Sequence, residues 1–223
     1  MSAPWYAVTD PRLEAAWELY HENSKRGPHD GIAAPRPAGA APDYGGLPML
    51  ALADRPPSPP QPMPTAAGGG ALSLRAFSDL LAMGCRGLSE ADAVAAFVAI
   101  GTVESLPRGL AWYDAASHSL RVLRREDAWA QLQSALVSPE ALTRSAALIL
   151  LAADLDAATA AAGERGYREA LIAIGRHLAA IETAAQASAL HIETVGFHDR
   201  AVDALLTLDG LARSVIAVVA VSA

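Results

Sequence analysis

Few residues in this chain combine the types and spacing that chemistry needs. Arg165 and Arg168 stand one helical turn apart, and two guanidinium groups on one face suit a phosphate or a partner's carboxylate. Glu164 and Glu169 lie close enough to neutralise them within the helix instead. Gly163 and Gly166 frame the same stretch, where a missing Cβ lets a ligand or another backbone come close. His21 has Glu22 and Lys25 beside it. That grouping suits acid–base work, since imidazole titrates near neutrality, and suits a solvated helix face equally well. His177, His191 and His198 have no metal-like spacing with a cysteine or carboxylate. No glycine-rich phosphate loop or serine-nucleophile elbow is present. No catalytic residue and no metal ligand is therefore assigned.

Composition narrows the function classes. The chain has 223 residues, enough for one sizeable core, and 52% are hydrophobic although only 5% are aromatic. Alanine makes up much of the difference, which favours close helix packing over bulky aromatic cores. A net charge of −7, with Lys25 as the one lysine, argues against a nucleic-acid surface, which needs clustered cations. No apolar run approaches the roughly 18 residues that span a bilayer, and no signal-peptide pattern opens the sequence. Cys85 stands alone, which excludes an internal disulfide and fits a reducing, cytoplasmic setting. It reads as a small buried hydrophobe.

The elements that must position these residues follow from periodicity and punctuation. Residues 11–25 read as a helix capped by Asp10, with Leu13, Trp17 and Tyr20 on one face. Residues 27–70 hold most of the prolines and show no regular period. They read as a surface-wrapping arm anchored by Leu47, Met49, Leu50 and Leu52. The expected organisation is thus an N-terminal helix (1–26), an arm (27–70) and a folded domain (71–223).

Within the domain, Ser73 caps a helix over 73–83, Ser89 caps a short turn over 90–95, and 94–103 is an apolar strand. Residues 110–113 and 119–123 form a hairpin, 126–136 a helix and 146–151 a buried strand. A short helix over 156–162 leads into the longest element, 165–190. There Tyr167, Leu171, Ile174, Leu178, Ile181 and Ala185 fall at steps of four and three. Such a helix runs about 40 Å, long enough to serve as a dimer spine. Strand 192–195, helix 199–206 and strand 215–221 complete an α+β layered chain.

Several motifs occur in a telling order. They are Tyr20-His21-Glu22-Asn23-Ser24-Lys25, Leu106-Pro107-Arg108-Gly109-Leu110-Ala111-Trp112-Tyr113-Asp114, the strand at 146–154, and Gly163-Glu164-Arg165-Gly166-Tyr167-Arg168-Glu169-Ala170-Leu171. Val195-Gly196-Phe197 and Ala204-Leu205-Leu206-Thr207-Leu208-Asp209-Gly210 follow. In these the sequence resembles SagB-type dehydrogenases, the nitroreductase-like flavoproteins that oxidise azoline rings in modified peptides. The resemblance implies a nitroreductase-like α+β fold, a mixed central sheet with a long dimerisation helix, and FMN at a subunit interface. It places the cofactor-binding positions at Arg165, Arg168, Gly196 and Phe197.

The chain also departs from that family. Thr65-Ala66-Ala67-Gly68-Gly69-Gly70-Ala71 stands where phosphate-binding arginines are usual, and Gly87-Leu88-Ser89-Glu90-Ala91-Asp92-Ala93 where a Pro-Ser-Ala-Gly segment is usual. Ala179-Ala180 replaces a Gln-Asn pair, Ala161-Ala162 replaces a Lys-Tyr pair, and Ala223 follows without a basic residue to reach a phosphate. The expectation is a subunit with a degenerate flavin site. It would pair with an intact FMN-dependent paralogue, or with itself, in peptide or natural-product modification. The alternative is a catalytic FMN-dependent dehydrogenase acting on azoline-type substrates, and a third is a homodimeric module that binds some other ligand.

Overall fold

The computed structural model describes residues 39–40, 42–54, 71–88, 93–125 and 127–223. The helix expected at 11–25, most of the arm and the turn at 89–92 lie outside the described residues. Seven strands form one sheet in the order β1-β4-β3-β2-β5-β7-β6. They are β1 (Met49–Ala51), β2 (Val94–Ile100), β3 (Gly109–Asp114), β4 (Ser119–Arg125), β5 (Ala147–Asp154), β6 (His191–Thr194) and β7 (Arg213–Ser222). Every pairing in this sheet is antiparallel. The parallel component of the expected mixed sheet is confined, among the described residues, to the bridge Leu72–Val103 beside it.

Because side chains alternate across a strand, β2 feeds two cores. Val94, Ala96, Val98 and Ile100 belong to the cluster beneath helices α1 (Leu74–Gly84) and α5 (Arg165–Ala187). Phe97 and Ala99 face the other cluster, with α2 (Asp127–Ala135), α3 (Pro139–Arg144) and α6 (Asp199–Leu205). A register shift between Leu151 and Ala152 pairs them with Ala217 and Val215, which leaves Ile216 as the extra residue of β7. The shift keeps Val215 on the same face as Val218 and Ala220. Burying each large side chain, such as Phe97, Leu148 or Leu150, contributes about 1.5–3 kcal/mol.

The helices obey their sequence signals. Ser73 caps α1 by accepting the Ala76 N–H at 3.1 Å. Helix α4 (Leu155–Ala162) is capped by Asp154, which accepts the Ala157 N–H at 2.8 Å. It ends at Gly163, whose φ of 64° turns the chain into α5. Gly166 lets α5 lie against α4, because an added Cβ would sit 2.7 Å from the Thr159 nitrogen. Helix α5 stops three residues short of the expected end, since Ala189 takes φ 52° and the Leu190 N–H turns back to the Ala185 carbonyl.

The buried stripe of α5 is rotated from the expected one. Ala170, Ala173, Ile174, His177, Ile181, Ala184 and Ala185 are buried, whereas Leu171 is 36% and Ile172 61% exposed. Alanine-rich helices allow more than one stripe, and here small residues let α5 settle close to the sheet and α1. A Cβ on Gly84 of α1 would lie 2.8 Å from the Ile181 Cα. The short helix α3 has no counterpart in the sequence reading, although Pro139 sits in its first turn. Of the four expected arm anchors, Leu50 and Leu52 do pack on the core, but Met49 is 57% exposed on edge strand β1.

Candidate functional site

One end of the sheet, where β2 begins and β5 ends, opens into a cavity of about 740 Å³. Its lining falls into four sides. Ala95 of β2, Ala152 of β5 and Ala157 of α4 form a floor of small side chains. Tyr44, Phe97 and Trp112 supply an aromatic wall, with Tyr44 set edge-on to Phe97 at 6.0 Å and tilted 34° against Trp112 at 5.0 Å. Cys85 and Arg86, which follow α1, close a third side. Leu208 and Arg213, around the turn into β7, close the fourth.

The rim is framed by carboxylates. Arg213 donates its Nε–H to Asp154 at 2.7 Å and a terminal N–H to the Ala40 carbonyl at 2.8 Å. Asp156 accepts the Gly39 N–H at 2.7 Å. The turn before β7 is held by Asp209, whose Oδ1 accepts the N–H groups of Leu211, Ala212 and Arg213. Those bonds, the Leu211 one foremost, keep the Asp209 carboxyl below the ordinary aspartate range. Buried Asp203 ties α6 to the same strand by accepting from the Ser214 hydroxyl and the Val215 N–H, both at 2.8 Å.

On the opposite rim, burial pushes the Asp114 carboxyl up. Hydrogen bonds from Ser117, Arg121 and Ala116 outweigh it, so the net displacement is downward. Burial raises the Tyr44 phenol, with the Arg213 guanidinium pulling the other way. Burial also pushes the Cys85 thiol up to about 12, so this cysteine is an inert wall residue, in line with its sequence reading.

A second polar feature joins the cavity wall to the arm. The Ser78 hydroxyl donates to the Ala53 carbonyl at 2.8 Å and lies 2.9 Å from His118 Nε2, while the Tyr113 hydroxyl lies 2.7 Å from His118 Nδ1. Since the serine proton goes to Ala53, the neutral imidazole satisfies both contacts with its proton on Nε2 and Nδ1 accepting from Tyr113. Ser78 is fully buried and Tyr113 nearly so, so this chain of bonds clips residues after β1 onto α1 and offers no nucleophile. Sequence reasoning missed it because its members come from α1, β3 and the β3–β4 turn.

The residues singled out from sequence do not meet at this cavity. Arg165 pairs with Glu169 at 3.1 Å on the exposed side of α5, the intrahelical option of the sequence reading. Arg168 lies on the same helix. Gly196 and Phe197 follow β6 and pack against the α2–α3 connection, through the Val137 N–H to Gly196 carbonyl bond at 2.9 Å and the Leu136–Phe197 bridge. None of the four lines the cavity. Among the described residues no cluster of three metal-ligating side chains exists, and no helix is long and apolar enough to cross a membrane.

The cavity's polar groups offer a phosphate few partners. The nearest helix N-terminus, that of α4, is already closed by Asp154, and Arg213 is engaged by the same carboxylate. Only Arg86, exposed at the rim, has no ion pair among the described residues.

Comparison with solved structures settles the fold. A protein described as a nitroreductase, from Anabaena variabilis, superposes with a TM-score of 0.73 at 19% identity, over 92% of this chain and 46% of its own. The fold is nitroreductase-like. This chain thus spans about half the length of that protein. The E. coli microcin synthetase McbBCD complex with truncated pro-MccB17 bound contains a chain matched with a TM-score of 0.61 at 16% identity, over 96% of this chain and 94% of that one. A second protein described as a nitroreductase, from Ralstonia eutropha, gives 0.59 at 17% identity, over 86% and 95%. No protein-family model and no curated protein matches the sequence.

Proposed function

We propose that this chain is a nitroreductase-fold subunit without a flavin reaction of its own, which associates with an intact FMN-dependent paralogue in peptide or natural-product modification. The observation that carries this proposal is the character of the cavity. Arg213 and the helix N-terminus at the cavity are engaged by the chain's own carboxylates, so exposed Arg86 is, among the described residues, the one cavity guanidinium left for the charge-assisted bonds a flavin phosphate requires. The alanine pairs Ala161-Ala162 and Ala179-Ala180 point the same way, since neither can donate a proton or hold a ring edge. The likeness to a chain of the McbBCD complex supports a role inside a multi-subunit synthetase, with the peptide as the partner's substrate.

Helix α5 offers the seam. Ile174, expected to face a partner, instead packs on this chain's own core, with Leu178 partly buried beside it. The outward face carries Leu171 and Ile172, and Gly175 on that face has nothing within 4 Å of a Cβ position. Small residues beside exposed leucine and isoleucine let a second long helix approach closely.

The purified chain is expected to be colourless and to bind added FMN weakly. Stoichiometric yellow protein would overturn the proposal and favour the catalytic alternative. The double variant Leu171→Asp, Ile172→Asp is expected to weaken association with a copy or a paralogue about tenfold or more, read by sedimentation, with the melting temperature unchanged. Undiminished association would remove α5 as the seam.

A further inference from the structure

We infer that the cavity at the β2–β5 end is a binding site for an uncharged, largely hydrophobic small molecule that carries a hydrogen-bond acceptor. Its size, about 740 Å³, lies within the range of roughly 300–1,000 Å³ that small-molecule sites occupy. The floor is alanine on three separate elements, so the space is left open by small side chains from β2, β5 and α4 together.

Charge disfavours ionic ligands over most of the wall, exposed Arg86 at the rim being the one lining guanidinium without an ion pair among the described residues. An anion would meet Asp114 and Asp154. A cation would find those carboxylates already engaged, Asp154 by Arg213 at 2.7 Å and Asp114 by Ser117 and, more distantly, Arg121. Tyr113 is likewise bonded to His118. A wall whose polar groups are internally satisfied gains little from new polar contacts and favours apolar burial. The exceptions are uncharged donors. The Tyr44 hydroxyl and the Trp112 indole N–H have no hydrogen-bond partner among the described residues, and both residues line the cavity. Two aromatic bodies with unused donors match a hydrophobic molecule bearing a carbonyl or ether oxygen. This class is chemically distinct from a flavin mononucleotide, and the site stands whether or not the chain works as a partner subunit.

The test titrates the full-length chain with N-phenyl-1-naphthylamine, an uncharged probe that brightens in apolar surroundings, and then competes it with 1-acetylnaphthalene, 1-ethylnaphthalene or FMN. Saturable binding is expected, with acetylnaphthalene displacing the probe several-fold better than ethylnaphthalene. That difference should vanish in Tyr44→Phe, Trp112→Phe. Ala157→Leu and Ala95→Phe, which fill the floor from a helix and a strand, should each weaken the probe about tenfold or more. Ala161→Leu, on an exposed part of α4, should not. Unaltered binding in both filled variants would overturn the site. Absence of probe binding would overturn it and leave the subunit proposal standing. Stoichiometric displacement of the probe by FMN would overturn both.

Discussion

At one end of the β2–β5 ladder, Gly101 and Ala146 are pressed under Trp129. A Cβ on Gly101 would lie 2.6 Å from the Trp129 Cζ2 and 2.9 Å from the Ala146 carbonyl oxygen. At the other end, alanines on the same two strands face a cavity. Both ends use small residues, and for opposite ends: one admits an indole, the other admits nothing from this chain's described residues. Their cohesion differs as well. The packed end is held by apolar contact and paired backbone. The hollow end is framed by Asp154, Asp156 and Asp209, each accepting backbone or guanidinium hydrogen bonds. Small side chains therefore do not by themselves mark a hollow. What faces them decides.

The sharpest break in that comparison is Gly166→Ala. The α4–α5 contact lies beside the hollow end yet has no room for a Cβ. The clash should outweigh the helix-propensity gain of about 1 kcal/mol and leave a net cost of about 2–3 kcal/mol. Thermal denaturation should then show a fall of about 5–10 °C. An unchanged melting temperature would mean the hollow end is slack throughout. Gly101→Ala probes the packed end. Displacing Trp129 and the Ala146 carbonyl should cost about 1–2 kcal/mol, a fall of about 3–6 °C, with the Trp129 indole resonance shifted and that of Trp112 unmoved. A shift at Trp112 of similar size would show that the two ends are not independent.

The smallest effect concerns acid. Asp114 and Asp209 both have folded-state values below the ordinary aspartate range. Their contribution is therefore present above the unfolded value of about 3.9 and is lost as pH falls through the lower folded values. Below about pH 4, Trp112 in the hollow end should report loosening before Trp129 does. In Asp209→Ala the acid sensitivity of Trp112 should diminish. Simultaneous changes at both tryptophans would erase the distinction.

Much of the fold is legible in the sequence. Ser73 caps its helix, continuous apolar runs give β5 and β7, and Gly163 separates α4 from α5, because each signal acts on its immediate neighbours. The rotated stripe of α5 was not legible. In Ile172-Ala173-Ile174 every position is apolar, and only the sheet and α1 decide which of them turns inward. The cavity was less legible still. Its floor is alanine from three elements, its aromatic wall joins Tyr44 of the arm to Phe97 and Trp112, and no local spacing reports a gap that tertiary structure creates. Arg165 and Arg168 drew attention by type, whereas Arg213, a guanidinium at the cavity, opens β7 ahead of the strand expected at 215–221.

Strand β7 sits between β5 and β6 and is the one sheet partner of β6 among the described residues. On the ribosome, where chain emerges at roughly 5–20 residues per second, β5 and β6 must therefore wait with open edges until residues 213–222 arrive. A nascent chain halted before Arg213 would display Ala147–Asp154, a nearly wholly buried apolar strand, as a free template for other chains. Synthesis of this protein carries a window of aggregation risk that closes only when β7 pairs.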